Sequence, residues 1–230
     1  MTQTAHVGTL PVGSSAAAIE LLGLVAYLEH EGFARLAADS ALAPTVELRL
    51  ALSRCAATAV QRRDLVLARI EALGGDPQAA FGGCEHVLED FDARTSPSTW
   101  SERLLTSYVG YGVADDFCRL LAAKLDDESH ALVLAVLDDT THADLAVAEL
   151  AAAGAGDAVL VSRLALWARR LGGEALGVVQ ALLASRPALL RLVSNPPDAA
   201  EAQVNVASGK LFNELTAQHT RRMGRLGLTA

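Results

Sequence analysis

PTVELRLALSRCAATAVQRRDLVLARIEALGGDP, residues 44–77, decides the fold. Pro44 suits the first turn of a helix, Gly74-Gly75 closes one, and Asp76-Pro77 forbids its continuation. Between these signals lie almost thirty residues with neither glycine nor proline, rich in alanine and leucine. An ordinary globular helix has about 11–12 residues. A helix more than twice as long needs equally long neighbours to cover it, and that arrangement is a bundle.

The flanking sequence supplies those neighbours. Upstream, Ser14-Ser15 offers N-caps for a first helix to about Asp39, with Ile19, Leu22, Val25, Ala26, Phe33 and Leu36 at three- and four-residue steps. Downstream, residues 77–97 pattern weakly, and Phe81, Val87, Leu88 and Phe91 predict a short helix across the bundle's end. Thr95-Ser96-Pro97 breaks the chain, and Thr99 with Glu102 forms a capping box that opens a third helix to about Leu125. Asp126-Asp127-Glu128 places acids at the start of a fourth, where the helix dipole favours them; it ends near Ala153 before Gly154 and Gly156. A fifth spans roughly 158–185, and after Asn195-Pro196-Pro197 a sixth runs from near Ala199 to Gly224. No useful β alternation occurs. The fold class is therefore all-α: a four-helix bundle with one or two additional C-terminal helices, formed by a single domain over 14–228, after a loose arm at 1–13.

The 230-residue chain is 51% apolar but only 4% aromatic, which excludes disorder and favours helices packed closely through small side chains. Its net charge of −8 is unevenly spread: residues 1–158 carry 10 Lys+Arg against 23 Asp+Glu, and residues 159–230 carry 9 against 4. An acidic chain disfavours nonspecific binding to nucleic acid or an anionic membrane. The basic C-terminal third, including Arg169, Arg170, Arg186, Arg191, Lys210, Arg221, Arg222 and Arg225, leaves room for one RNA-facing surface; the alternative is that these are solubilising groups on helix surfaces. Cys55, Cys84 and Cys118 are odd in number and lack CxxC spacing, so they read as core residues of a reducing compartment. Leu21–Leu28 is too short to span a bilayer, and a soluble, cytoplasmic protein is expected.

Four-helix bundles build carboxylate metal sites from a Glu on each of two helices and Glu-x-x-His on the other two, since i,i+3 spacing points both groups to one side. Helix one offers Glu29 among apolar neighbours, with Glu20 and Glu31 as weaker candidates, and helix three offers Asp115-Asp116. Helix four carries Asp139-Thr-Thr-His142, the required spacing, although Asp138-Asp139-Thr140-Thr141 reads equally well as a polar break with its own cap. Helix two has no such pair.

Several blocks occur in a recognisable order: Leu21–Tyr27, Tyr108-Val109-Gly110, Ala131–Asp139, Leu164–Arg170 with Gly173–Leu176, and His219-Thr220 with Arg222-Met223. Together they resemble the bacterial ferritin-like proteins related to the tRNA hydroxylase MiaE, over nearly all of residues 17–228. The resemblance implies a ferritin-like bundle and, by analogy, a di-iron centre that activates oxygen to hydroxylate a modified tRNA base. It places Glu29 at the helix-one glutamate, Asp139 and His142 at the helix-four acid-x-x-His, and Asp116 at a helix-three aspartate. The helix-two Glu-x-x-His falls on Ala59 and Arg62, and an aspartate common after Tyr-Val-Gly is Tyr111.

Alanine has no ligand atom, and arginine is a permanent cation that cannot coordinate a metal. A guanidinium can instead take the metal's place by pairing with Glu29 or Asp139, with Tyr111 filling volume and donating a hydrogen bond. The competing possibility is a rotated helix two, with Arg62 on the surface and Asp64 inward. Two functions follow. One is a non-catalytic binding or oligomerisation module on a degenerate site, with no cofactor expected and a homo-oligomer compatible with the alanine-rich faces. The other is an oxygen-activating, metal-dependent tRNA hydroxylase, with iron held in altered ligation by Glu29, Asp116, Asp139 and His142.

Overall fold

The computed structural model describes residues 12–194 and 200–229. Among them there is helix and no strand. The chain forms α1 (Val12–Leu42), α2 (Val46–Ala72), the short α3 (Pro77–Gly82) and α4 (Glu89–Arg94), then α5 (Trp100–Leu105). A π-helical turn at Thr106–Gly110 joins α5 to α6 (Tyr111–Ala122). After them come α7 (Asp127–Leu137), α8 (Thr141–Gly154), α9 (Ala158–Ser185), α10 (Pro187–Val193) and α11 (Glu201–Arg225). The first two helices, the α5–α6 rod and the α7–α8 rod are the four long members of the bundle, with α9 and α11 laid against it.

Most boundary signals act as their chemistry requires. Thr45 caps α2, its hydroxyl accepting from Leu48 N at 3.2 Å, and Asp126 caps α7 by accepting from Ser129 N at 3.0 Å. At the start of α5 the Thr99 hydroxyl accepts from Glu102 N while Glu102 Oε2 accepts from Thr99 N, each at 3.2 Å, a complete capping box. Other boundaries differ from expectation. The first helix already begins at Val12, so Ser14 and Ser15 lie within it and the expected 1–13 arm overlaps α1; residues 1–11 lie outside the described residues, as does the Asn195-Pro196-Pro197 turn. The 77–97 link forms two short helices, and α10 is an extra helix that starts on Pro187 at its first turn. The fourth rod is broken at Asp138–Thr140, where three consecutive polar residues interrupt the apolar period.

The first helix is the centre of the packing. Every residue from Leu21 to Glu29 is buried, so this segment is covered on all sides, by α2, α3, α6, α7 and α10. Its apolar side chains join one continuous cluster with Val66, Ile70, Leu104, Leu105, Phe117, Leu171, Leu189, Leu215 and Met223. A second, smaller cluster gathers Leu36, Ala43, Leu48, Leu52, Cys55 and Ala56 at the other end of α1 and α2. All three cysteines are free and buried. Among the described residues no single helix is long and apolar enough to cross a membrane.

Close approach depends on bare backbone at particular points. A Cβ on Gly23 would lie 2.5 Å from the backbone oxygen of Ala80, so α3 reaches α1 only because residue 23 is glycine. Gly172 does the same for α11: its Cβ would lie 2.6 Å from the His219 ring, whereas Gly173 meets nothing within 4 Å. We expect Gly23→Ala to lower the unfolding free energy by ~1–3 kcal/mol in urea titrations, because the obstacle is backbone. Gly209→Ala, in open space on α11, should raise it by ~0.5–1 kcal/mol through helix propensity alone. Equal effects of the two substitutions would contradict this packing.

Candidate functional site

The inward stripe of α2 runs Leu52, Cys55, Ala56, Ala59, Val66 and Ile70, and steps of three and four put Arg62 on its edge. There the guanidinium meets the one acid of α1's buried segment. Arg62 Nε donates to Glu29 Oε2 at 2.8 Å, and Nη1 donates to Asp139 Oδ2, also at 2.8 Å. One cation thus ties α1, α2 and the α7–α8 break together. Asp64 is exposed and pairs with Arg63, so the rotated arrangement of α2 is not the one adopted. Ala59 is fully buried and contributes no polar atom.

The helix-four pair is arranged differently from a ligand pair. Asp139 precedes α8, its Oδ1 accepting from Thr141 N at 3.0 Å, so Asp139 and His142 do not share a continuous helical face. His142 Nε2 is hydrogen-bonded with Ser107 Oγ at 3.1 Å, on the π-helical turn. The adjacent helix-three acids also part company. Asp116 accepts from Arg222 Nη2 at 2.6 Å, and Arg222 also donates to the carbonyl of Gly112 at 2.9 Å. Tyr111 donates its hydroxyl to Asp92 at 2.6 Å, and the Arg35 guanidinium lies 3.0 Å above its ring. Glu174 pairs with Arg94 rather than with Arg169 or Arg170. Of these groups, Glu29, Arg35, Arg62, Ser107, Tyr111, Asp116, Asp139, His142 and Arg222 line a cleft of about 350 Å³ between α1, α2, the π turn, α6, the α7–α8 break and α11.

A family model described as ferritin-like domain, actinomycetes, matches residues 14–195. The chain belongs to this ferritin-like family. No curated protein matches the sequence.

In a ferritin-like bundle this cleft is where a carboxylate–histidine metal centre would be sought, and the residues present do not fit one. Glu29 and Asp139 direct an oxygen each to a guanidinium, Asp116 is held by a second arginine, and Ala59 has no donor. Among the described residues no three His, Cys, Asp or Glu side chains are grouped to hold an ion. The balance of charge points the same way: six arginines line the cleft (Arg35, Arg62, Arg119, Arg221, Arg222, Arg225) against four carboxylates (Glu29, Asp115, Asp116, Asp139).

Burial and these neighbours shift the site's titrations. Burial pushes the Glu29 carboxyl up to about 7, against the pull of Arg62, and pushes Asp115 up to about 6 with help from Asp116. Burial, with the Arg35 and Arg62 charges, drives His142 down to about 4, so its imidazole is neutral at pH 7. Hydrogen bonding from Thr141 holds Asp139 below the usual carboxylate range despite partial burial. The arginines that complete the site, Arg35 and Arg222, are far apart in sequence; Arg222 stood in the C-terminal block of the resemblance and in the basic surplus of the last third, but neither assigned it to the site, and Arg35 stood in no motif. The π turn that presents Ser107 and Tyr108 leaves no periodic signal either.

Two measurements test this geometry. Arg62→Ala should lower the unfolding free energy by ~2–3 kcal/mol, short of the ~3–5 of a fully buried pair because Asp139's side chain keeps 31% of its surface. In a Glu29→Gln background the same substitution should cost less than ~1 kcal/mol, since the carboxylate it strands is gone. The pH dependence carries a second sign. Between pH 4 and 6.5 the unfolded chain binds a proton at His142 that the folded chain refuses, so His142 makes stability rise with pH. Glu29 and Asp115 act oppositely, binding protons more tightly when folded and losing stability as pH rises to about 7 and about 6. His142→Gln removes the opposing term, and stability should then fall across pH 4.5–6.5 more steeply than in wild type, by up to ~1.4 kcal/mol per pH unit. A shallower fall would mean that His142 is charged when folded.

Proposed function

We propose that the protein is a non-catalytic binding module, a ferritin-like bundle in which an internal arginine–carboxylate network stands where a di-iron centre would be. The observation that carries this reading is Arg62, which donates to both Glu29 and Asp139. Support also comes from the sequence's resemblance to the MiaE-like tRNA hydroxylases, under which Ala59, Arg62 and Tyr111 occupy ligand positions. Losing a carboxylate and an imidazole removes two donors, and adding a guanidinium supplies like charge where a metal needs anions. For a hydroxylase with altered ligation, Arg62 would have to leave two carboxylates and Arg222 would have to leave Asp116. RNA contact through α11 would compete with the pairs that Arg222 and Arg225 make with Asp116 and Asp144.

Elemental analysis of protein expressed in iron-replete medium is the test. The expected result is far less than one iron per chain alongside an intact helical circular dichroism spectrum. Close to two irons per chain would overturn the proposal and restore the hydroxylase reading.

A further inference from the structure

Buried polar groups in folded proteins nearly always have partners, and each exception calls for a cause. Four such exceptions belong to three side chains that line one cleft: Arg35 Nε and Nη1, Tyr108 Oη and Arg222 Nη1 are buried and have no hydrogen-bond partner. All four can donate. Arg35 also has no ion pair among the described residues, and its contact with the Tyr111 ring is the face of an aromatic rather than an acceptor. The other cleft arginines are each paired with a carboxylate: Arg62 with Glu29 and Asp139, Arg119 with Asp138, Arg221 with Glu214, Arg225 with Asp144, and Arg222 with Asp116 through Nη2, which leaves its Nη1 unpartnered. An uncompensated cation in such a place is costly unless an anion joins it.

The site is built for this arrangement. Arg222 lies against bare backbone, since a Cβ on Gly112 would meet its Nε at 2.5 Å. The donors come from three elements, α1, the π turn and α11. One guanidinium fork satisfies a planar carboxylate, whereas donors from several directions suit the oxygens of a tetrahedral anion. The cleft's volume of about 350 Å³ falls within the range of small-molecule pockets, roughly 300–1,000 Å³.

We propose that the cleft binds a phosphate-bearing small molecule, its phosphoryl oxygens held by the guanidinium groups of Arg35 and Arg222 and the hydroxyl of Tyr108. This rests on reading the cleft as a binding site rather than a metal centre, yet it depends on Arg35, Tyr108 and Arg222 and not on Arg62. The experiment is calorimetric titration of the full, chelator-treated chain with inorganic phosphate at constant ionic strength, with succinate as the carboxylate arm. Saturable binding of one phosphate per chain is expected, at least tenfold tighter than succinate. Arg35→Gln and Arg222→Gln should each weaken it tenfold or more, while Lys210→Gln, on the exposed face of α11, should leave it unchanged. Should either arginine variant lose its helical spectrum, Tyr108→Phe, which removes one oxygen, carries the test and should weaken binding at least threefold. Phosphate heat no greater than that of chloride, succinate binding as tightly, or full affinity in Tyr108→Phe would each overturn the proposal. Iron in untreated protein would defeat the network reading and the premise of this one with it, whereas absent phosphate binding in iron-free protein would defeat this one alone.

Discussion

A carboxylate inside a helix that is covered on every side needs a counter-charge, and the rest of the molecule is arranged around that need. From Leu21 to Glu29 the first helix has no solvent face. Glu29 could be accommodated by a metal, by protonation, or by a cation from a neighbour. Here the neighbour is Arg62, whose planar fork reaches two acids at once, and the elevated pKa of Glu29 measures the desolvation that the guanidinium only partly offsets.

The same logic explains the lopsided distribution of charge along the chain. The acidic surplus of the first two thirds and the basic surplus of the last third meet in space: Arg163 with Glu102, Arg186 with Glu20, Arg222 with Asp116, Arg225 with Asp144. Exposed pairs such as Arg225 with Asp144 contribute little each. The half-buried Arg222–Asp116 pair fixes how α11 sits on α6 and closes one wall of the cleft.

The long helices were legible because their period, caps and breakers are local signals: Thr99 with Glu102, Asp126 and Gly74 all act within a few residues of where they stand, whereas the cap of α2 is Thr45 and not the first-turn Pro44 that the sequence suggests. The short elements were less so. α10 has only seven residues, too few for a period, and the break at Asp138–Thr140 competes with a run of good helix formers on either side. Of the candidate site, Glu29, Asp139 and His142 could be named because bundle geometry asks for polar groups at that spacing, and Arg62 because the family resemblance puts it at a ligand position. Their relations could not. Whether Asp116 faces Glu29 or Arg222 depends on the placement of Arg222, more than a hundred residues away, and the π turn shifts the register of helix three without any change in composition. Arg35 was invisible for a further reason: on a helix, one arginine among charged residues reads as surface.

The central position of α1 has a bearing on how the chain acquires its structure. This segment precedes every element that covers it, and α10 lies some 150 residues downstream. Until those partners emerge, Leu21–Leu28 is an apolar strip with water on most of its circumference, and pairing with α2 shields one side only. Contacts of such long sequence separation are slow to form, and exposed apolar surface during that interval invites association between chains. The interior that gives the finished protein its order therefore makes the nascent one dependent on late-arriving sequence.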